Sequence, residues 1–359
     1  MAEAQNRWFT GWGASIVSLV LSLASALVLF SVLLVTSGKN PLDTYASIFG
    51  STLGNGFGFS EIFVKMIPLL FTALAVALPA RLGLVNVGGE GQLQLGALAA
   101  AAAALAIGVP FWAGIPVTLV AGMIGGALWA LVPALLRAKG WLNETISTLL
   151  LNYVAIRVVD YFVFGPLRDP SSSNVPQTRK FADGFLWPAF AGRIHIGIFF
   201  ALAALLLFAV VINRTRWGYE IRAAGSNPLA ALRHGLPVTS YILIVLCVGG
   251  ALAGLAGTGE IMAIQGRLRP GFSPSYGYLG FLIAWLAGHK PLRILFMGFL
   301  VALIATGGDS LQIDQGLPSS TVDILMALCL FMVLADPWRP DRLEVRVRSW
   351  LHRKNGAVS

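Results

Sequence analysis

The sequence predicts an all-α fold, a polytopic transmembrane helical bundle of about ten spans. Three observations predict it. Of 359 residues, 57% are hydrophobic and only 11% charged, whereas soluble domains carry about a quarter charged residues. The apolar residues gather into runs approaching the ~20 residues that a membrane helix needs. The basic residues fall in the breaks between those runs, where topology signals sit. The net charge of +9 therefore reads as a topology signal rather than a nucleic-acid footprint, and no nucleic-acid partner is expected.

The first run, 14–36, exceeds a signal-peptide core of ~7–15 residues and is expected as a retained span. The second covers 62–80. The stretch 92–136 is long enough for two spans, broken near Gly108–Gly114. A fifth covers 145–165, a sixth 194–212 and a seventh 238–263. A short apolar piece at 276–288, a ninth run at 294–307 and a tenth at 321–336 complete the set. The domain plan is a cytoplasmic N-terminus, 1–13, one transmembrane domain, 14–336, and a basic cytoplasmic tail, 337–359. With the N-terminus inside and ten alternating spans, the larger share of Lys and Arg falls inside, including Arg81, Arg137, Lys139, Arg214, Arg216, Arg222 and the tail from Arg339 to Lys354. Both termini are thus expected in the cytoplasm. The outer loop 166–193 is rich in Pro and Ser and predicts little regular structure.

Breaks rich in glycine follow the second and seventh spans. One is Gly83 to Gly91, the other Gly254, Gly257, Gly259, Gly266 and Gly271. Each opens a four-span group, and the groups start from opposite sides, the pattern of an inverted repeat with broken helices.

Four constellations carry possible chemistry. In 86–96, Asn86, Glu90 and Gln92 open an apolar stretch among glycines. Glu90 is either an ionisable group lining a path or an acid near a helix N-terminus. In 225–235, Asn227 is a good N-cap, Pro228 a good first helical residue and Gly235 a good stop, so 228–234 should form a two-turn helix. Such a helix in the basic inner loop 213–237 suits docking to a cytoplasmic partner; an ordinary interfacial helix is the alternative. In 143–160, Asn143 is positioned to cap, Asn152 to bond a polar solute or another helix, and Arg157 to meet Asp160 on one face. In 276–291, Phe281 and Trp285 can stack on a flat ring or form part of an aromatic belt.

Several motifs are absent. No phosphate-binding P-loop occurs, so the chain has no ATP site of that kind. There is no nucleophile–base or metalloprotease motif. The two cysteines, Cys247 and Cys329, and four histidines show no metal spacing. No cofactor, metal or catalytic residue is expected.

The motif at 84–97, Leu84-Val-Asn-Val-Gly-Gly-Glu-Gly-Gln-Leu-Gln-Leu-Gly-Ala, resembles the signature of ABC importer permeases serving branched-chain amino acids, ribose-type sugars and nucleosides. The segment 225–235 resembles that family's coupling helix, and 280–291 a later family segment. The stretch 143–153 is most similar to the nucleoside branch, which works with a basic-membrane-protein type lipoprotein. Val85, Val87 and Gly89 depart mildly from the usual motif, and Trp285 stands where a smaller aliphatic residue is usual. The resemblance implies a permease subunit in a bacterial cytoplasmic (inner) membrane, importing a small polar solute such as a nucleoside. It implies as partners a cytoplasmic ABC ATPase, a second homologous permease subunit, a periplasmic or lipid-anchored substrate-binding protein and membrane lipid. It places Asn86, Glu90, Gln92, Asn152, Phe281 and Trp285 on the substrate pathway, and Gly225, Asn227, Pro228, Arg233 and Gly235 at the ATPase. A sugar or amino-acid permease of the same family and an ion-coupled secondary transporter are the alternatives.

Overall fold

A computed structural model describes residues 2–172 and 175–335. The basic tail 337–359 lies outside the described residues. The chain divides into two compact units, 1–55 with 304–359, and 56–303.

In the first unit, α1 (Ala2–Thr36) is followed by α2 (Pro41–Thr52), a helix the sequence reading did not foresee. Its start is local chemistry: the Asn40 side chain accepts the Leu42 N–H at 3.0 Å and Pro41 occupies the first turn. Tyr45 ties α2 to α1 by donating to the Leu27 carbonyl at 2.6 Å. Ala26, Phe30 and Leu34 of α1 pack with Leu311, Val322, Leu325 and Cys329. The last three belong to α13 (Ser319–Ala335) and Leu311 to α12 (Pro291–Gln315).

The second unit holds α3 (Gly56–Ala80), α4 (Gly89–Ala106), α5 (Gly114–Ala138) and α6 (Glu144–Phe164). A hairpin of β1 (Ala189–Ala191) and β2 (Ile194–His195) precedes α7 (Gly197–Arg214). Then come α8 (Arg216–Ser226), α9 (Pro228–Arg233), α10 (Val238–Gly259) and α11 (Tyr276–Leu286). A π turn, Glu260–Gln265, continues α10. Seven helices among the described residues are long and apolar enough to cross a membrane, and α11 and α13 are shorter apolar helices. The eleven residues of α11 rise ~16 Å, about half of a ~30 Å hydrocarbon core. The eighth segment can therefore cross only together with the loop before it. The ninth is longer than the sequence suggested, 25 residues in α12.

Helix α10 is the hub, packing on α5, α4 and α3. The contact is made by glycines. A Cβ on Gly254 would strike the Gly122 backbone, one on Gly96 the Gly254 backbone, and one on Gly257 the Leu93 carbonyl. Gly254, Gly257 and Gly259 were expected at a helix break, and this is corrected: the helix runs through them, because bare Cα atoms there let backbones touch. The break begins at Gly266, which has φ +65°. Helix α3 packs on α11 while α10 packs on α4.

The segment just before the hairpin sits on the π turn, where the Trp187 N–H donates to the Met262 carbonyl at 3.1 Å. His195 is buried there, and its Nδ1 accepts the Gly197 N–H at 3.2 Å at the start of α7.

Gly96→Val and Gly254→Val are expected to destabilise the chain by about 1–3 kcal/mol through overpacking. Gly108→Val, where a Cβ meets nothing within 4 Å, serves as control. Thermal unfolding of the detergent-purified chain checks this; three equal midpoints would contradict the seam.

Candidate functional site

The first break begins where α3 ends. Gly83 has φ +78°, a conformation side chains rarely adopt. It turns the chain back, and residues 84–88 run without regular structure to the start of α4. Backbone of that kind at membrane depth must find its hydrogen bonds in protein. Helix α6 supplies them. Glu144, Thr148 and Asn152 stand four residues apart on one face. Glu144 Oε1 accepts the Val85 N–H at 3.2 Å, and Thr148 Oγ1 accepts the Val87 N–H at 3.2 Å. Asn152 donates to the Val87 carbonyl at 2.9 Å and accepts the Gly91 N–H at 2.8 Å. Asn143 caps α6 through the Thr145 N–H at 2.8 Å, as its position predicts. Arg137 pairs with the free side of Glu144 at 3.0 Å.

The second break meets the first. Glu90 lies in the first turn of α4, 3% exposed. Its Oε2 accepts the Gly277 N–H of α11 at 2.8 Å, and its Oε1 accepts Gln94 Nε2 at 3.1 Å. Ser275, the residue before α11, has φ +65° and gives no side-chain cap. A carboxylate from another helix therefore fills the cap's role. Gly277 permits it: a Cβ there would overlap the Glu90 backbone. Thr72 of α3 donates to the Tyr276 carbonyl at 3.0 Å. Asn86 exchanges two hydrogen bonds with Gln92, both 3.1 Å, and donates to the Ala75 carbonyl. Tyr278 reaches Asn152 at 3.3 Å.

Of the residues singled out in the sequence, Asn86, Glu90, Gln92 and Asn152 come together as one buried knot, bonded to one another's segments. Phe281 and Trp285 do not join it. They form a separate stripe on α11, with ring centroids 6.0 Å apart, continued by His289 at 5.2 Å from Trp285. Trp285 is 48% exposed. Arg157 and Asp160 pair at 2.9 Å. The sequence reading passed over Glu144 and Thr148, although their four-residue spacing with Asn152 was visible, and Gly277, which carries no local signal.

Helices α8 and α9 form the basic loop. Thr215 caps α8 through the Gly218 N–H at 3.1 Å, and Asn227 caps α9 through the Ala230 N–H at 3.0 Å. Gly235, with φ +78°, closes α9: its N–H donates to the Leu232 carbonyl and that of Leu236 to the Ala231 carbonyl, both at 3.0 Å. Arg233 is the last residue of α9. Tyr241 donates to Glu220, which also holds Arg216 at 2.8 Å; these bonds, Tyr241's first, keep the Glu220 carboxyl below its ordinary range. A cleft of about 580 Å³ opens between α8 and α9, lined in part by Tyr219, Asn227 and His234. Gly225 lies so close to the Arg81–Leu82 backbone that a Cβ would overlap it. The loop thus rests on the turn that starts the first break. Arg81 also donates to the His289 carbonyl just after α11.

Asn152→Leu should orphan the Gly91 N–H and Val87 carbonyl, costing about 1–3 kcal/mol for each buried group. A lowered unfolding midpoint in detergent checks this; a midpoint equal to the parent's would show that the knot is not held by α6.

The family described as "Branched-chain amino acid transport system / permease component" matches residues 58–334. The glucose ABC transporter permease protein TsgB13 of Haloferax volcanii is 36% identical over 339 residues, 91% of this chain and 89% of that one. The guanosine ABC transporter permease protein NupP of Bacillus subtilis is 28% identical over 89% of this chain and 91% of its own. Among solved structures, PsaBC from Streptococcus pneumoniae in complex with Fab aligns with TM-score 0.50 at 12% identity, over 85% of this chain and 99% of that chain, a likeness of fold. With the family's pattern running through both helix breaks and the loop between them, the chain belongs to the permease components of the branched-chain amino acid transport family and is a multi-pass ABC transport permease.

Proposed function

We propose that this chain is the membrane-spanning half of an ATP-driven importer for nucleosides. A cytoplasmic ABC ATPase grips α8 and α9, a second homologous permease completes the pathway, and a periplasmic or lipid-anchored binding protein delivers the solute. The Lys and Arg distribution favours a bacterial cytoplasmic membrane with both termini inside. The nucleoside reading draws on the relatives named for guanosine and nucleosides and on 143–153. The relative named for glucose favours a sugar as the second reading; both solutes carry a polyhydroxylated ring.

One observation carries the coupling mechanism: Gly225 seated on the Arg81–Leu82 backbone. A push on α9 passes from Gly225 to the turn at Gly83, along 84–88, to the knot where α4 and α11 begin. Asn86, Glu90, Gln92 and Asn152 then act on the pathway by holding the broken helices in register. Phe281 and Trp285 offer partly exposed rings to the solute. The permease performs no chemistry; its bistable element is the pair of breaks.

Uptake of labelled guanosine and of labelled glucose, in cells carrying the complete transporter, tests the reading. Guanosine uptake that needs the ATPase supports it, glucose uptake alone favours the sugar reading, and uptake that collapses with the ion gradient refutes an ATP-driven importer. Asn227→Ala with Pro228→Gly removes a cap worth about 1 kcal/mol. This variant should still insert, lose ATPase co-purification and lose most transport; unchanged association would refute the docking role. Glu90→Ala should also abolish most uptake, and normal uptake would remove Glu90 from the machinery.

A further inference from the structure

A second polar cluster lies apart from the knot. Glu61 and Lys65 stand one turn apart on α3, and Glu260 opens the π turn after α10. Glu260 is 8% exposed, and its charged neighbours are Lys65, Arg193 and Glu61. In a π helix residues five apart come into register. Gln265 accordingly donates to Glu260 Oε1 at 3.3 Å and to the Phe272 carbonyl at 2.9 Å. Arg193 of the hairpin closes over the cluster, pairing with Glu61 at 2.8 Å.

That ion pair explains how the hairpin is anchored. Lys65 and Glu260 are charged neighbours of each other, and both lie inside segments apolar enough to span a membrane. Charges there are costly and mark pathways by default, and π turns recur at functional sites. The direction of the α3 face is the second observation. Glu61, Lys65 and Thr72 share that face, and Thr72 touches the first residue of α11. From Lys65 to Thr72 the helix rises ~10 Å. That face runs from the hairpin to the helix break, with Pro68 and Leu69 filling it between Lys65 and Thr72.

We propose that Lys65, Glu260 and Gln265 form a solute subsite for the vicinal hydroxyls of a polyhydroxylated ring, placed between the hairpin and the break. This rests on the importer reading above. A carboxylate accepts from two neighbouring O–H groups, while the ammonium and the amide donate to the same oxygens. The ring of a ribonucleoside or a hexose offers that set; a hydrocarbon or a free anion does not.

The test uses the complete transporter with its ATPase, partner permease and binding protein. Uptake of guanosine and of 2′,3′-dideoxyguanosine is measured in the parent, Glu260→Gln and Lys65→Met. Guanosine uptake should fall about tenfold or more, the loss expected for charge-assisted hydrogen bonds, while dideoxyguanosine uptake changes little. Glu61→Gln, which removes the hairpin ion pair and leaves Lys65, Glu260 and Gln265 in place, should lower both equally. A Glu260→Gln or Lys65→Met variant that assembles and lowers both solutes by one factor, or neither, overturns the subsite. If a variant fails to co-purify with the ATPase, Glu260→Asp is read in its place, with a raised KM for guanosine alone expected and an unchanged KM overturning the proposal. A parent that moves glucose but not guanosine overturns the nucleoside reading, and the same variants are then scored on glucose against 3-deoxyglucose. A parent that moves neither overturns the importer's assigned substrate and this subsite together.

Discussion

The rest of the second unit depends on one carboxylate. Two helices start within the bundle, and each brings unsatisfied N–H groups and the positive end of its dipole. Water would normally meet that need, and the bilayer has none to offer. Glu90 answers for α11 through Gly277, and Asn152 answers for α4 through Gly91. Without these groups the breaks would be unpaid polar surface, and continuous helices would be the stable alternative. With them, two half-independent helix ends abut at a fixed point.

The fixed point is joined to the loop between α7 and α10. Gly225 touches the turn before the first break, and Arg81 touches the residue after α11. Both ends of the second unit's broken elements are thus held by one turn at residues 81–83. Burial first, and Arg222 second, lower the Arg81 guanidinium from its ordinary value; burial and then Arg81 do the same to the His289 imidazole. Positive groups crowd this joint, so its packing is sensitive to a change in the position of α8.

Local chemistry was legible in the sequence. Asn143, Asn227, Pro228 and Gly235 act within a turn of themselves, and each does in the structure what its residue type predicts. The spans were legible because length and apolarity are properties of short windows. Long-range pairing was not. Gly277 meets Glu90 across 187 residues of sequence, and nothing near either residue announces the other. The glycines at 254–259 misled for a physical reason: a missing Cβ serves a helix break and a helix seam equally well, and only the neighbour decides. Helix α2 went unread because twelve residues of mixed polarity resemble a linker until Tyr45 finds α1.

The π turn has a consequence for how such permeases diversify. It is an α-helix carrying one inserted residue. Loss of a single codon between 260 and 265 would restore α geometry and rotate everything after it by about 100°, carrying Gln265 away from Glu260. Gain of a codon elsewhere would do the reverse. The proposed subsite is thereby exposed to single-codon insertions and deletions, which leave composition, hydropathy and span count almost unchanged.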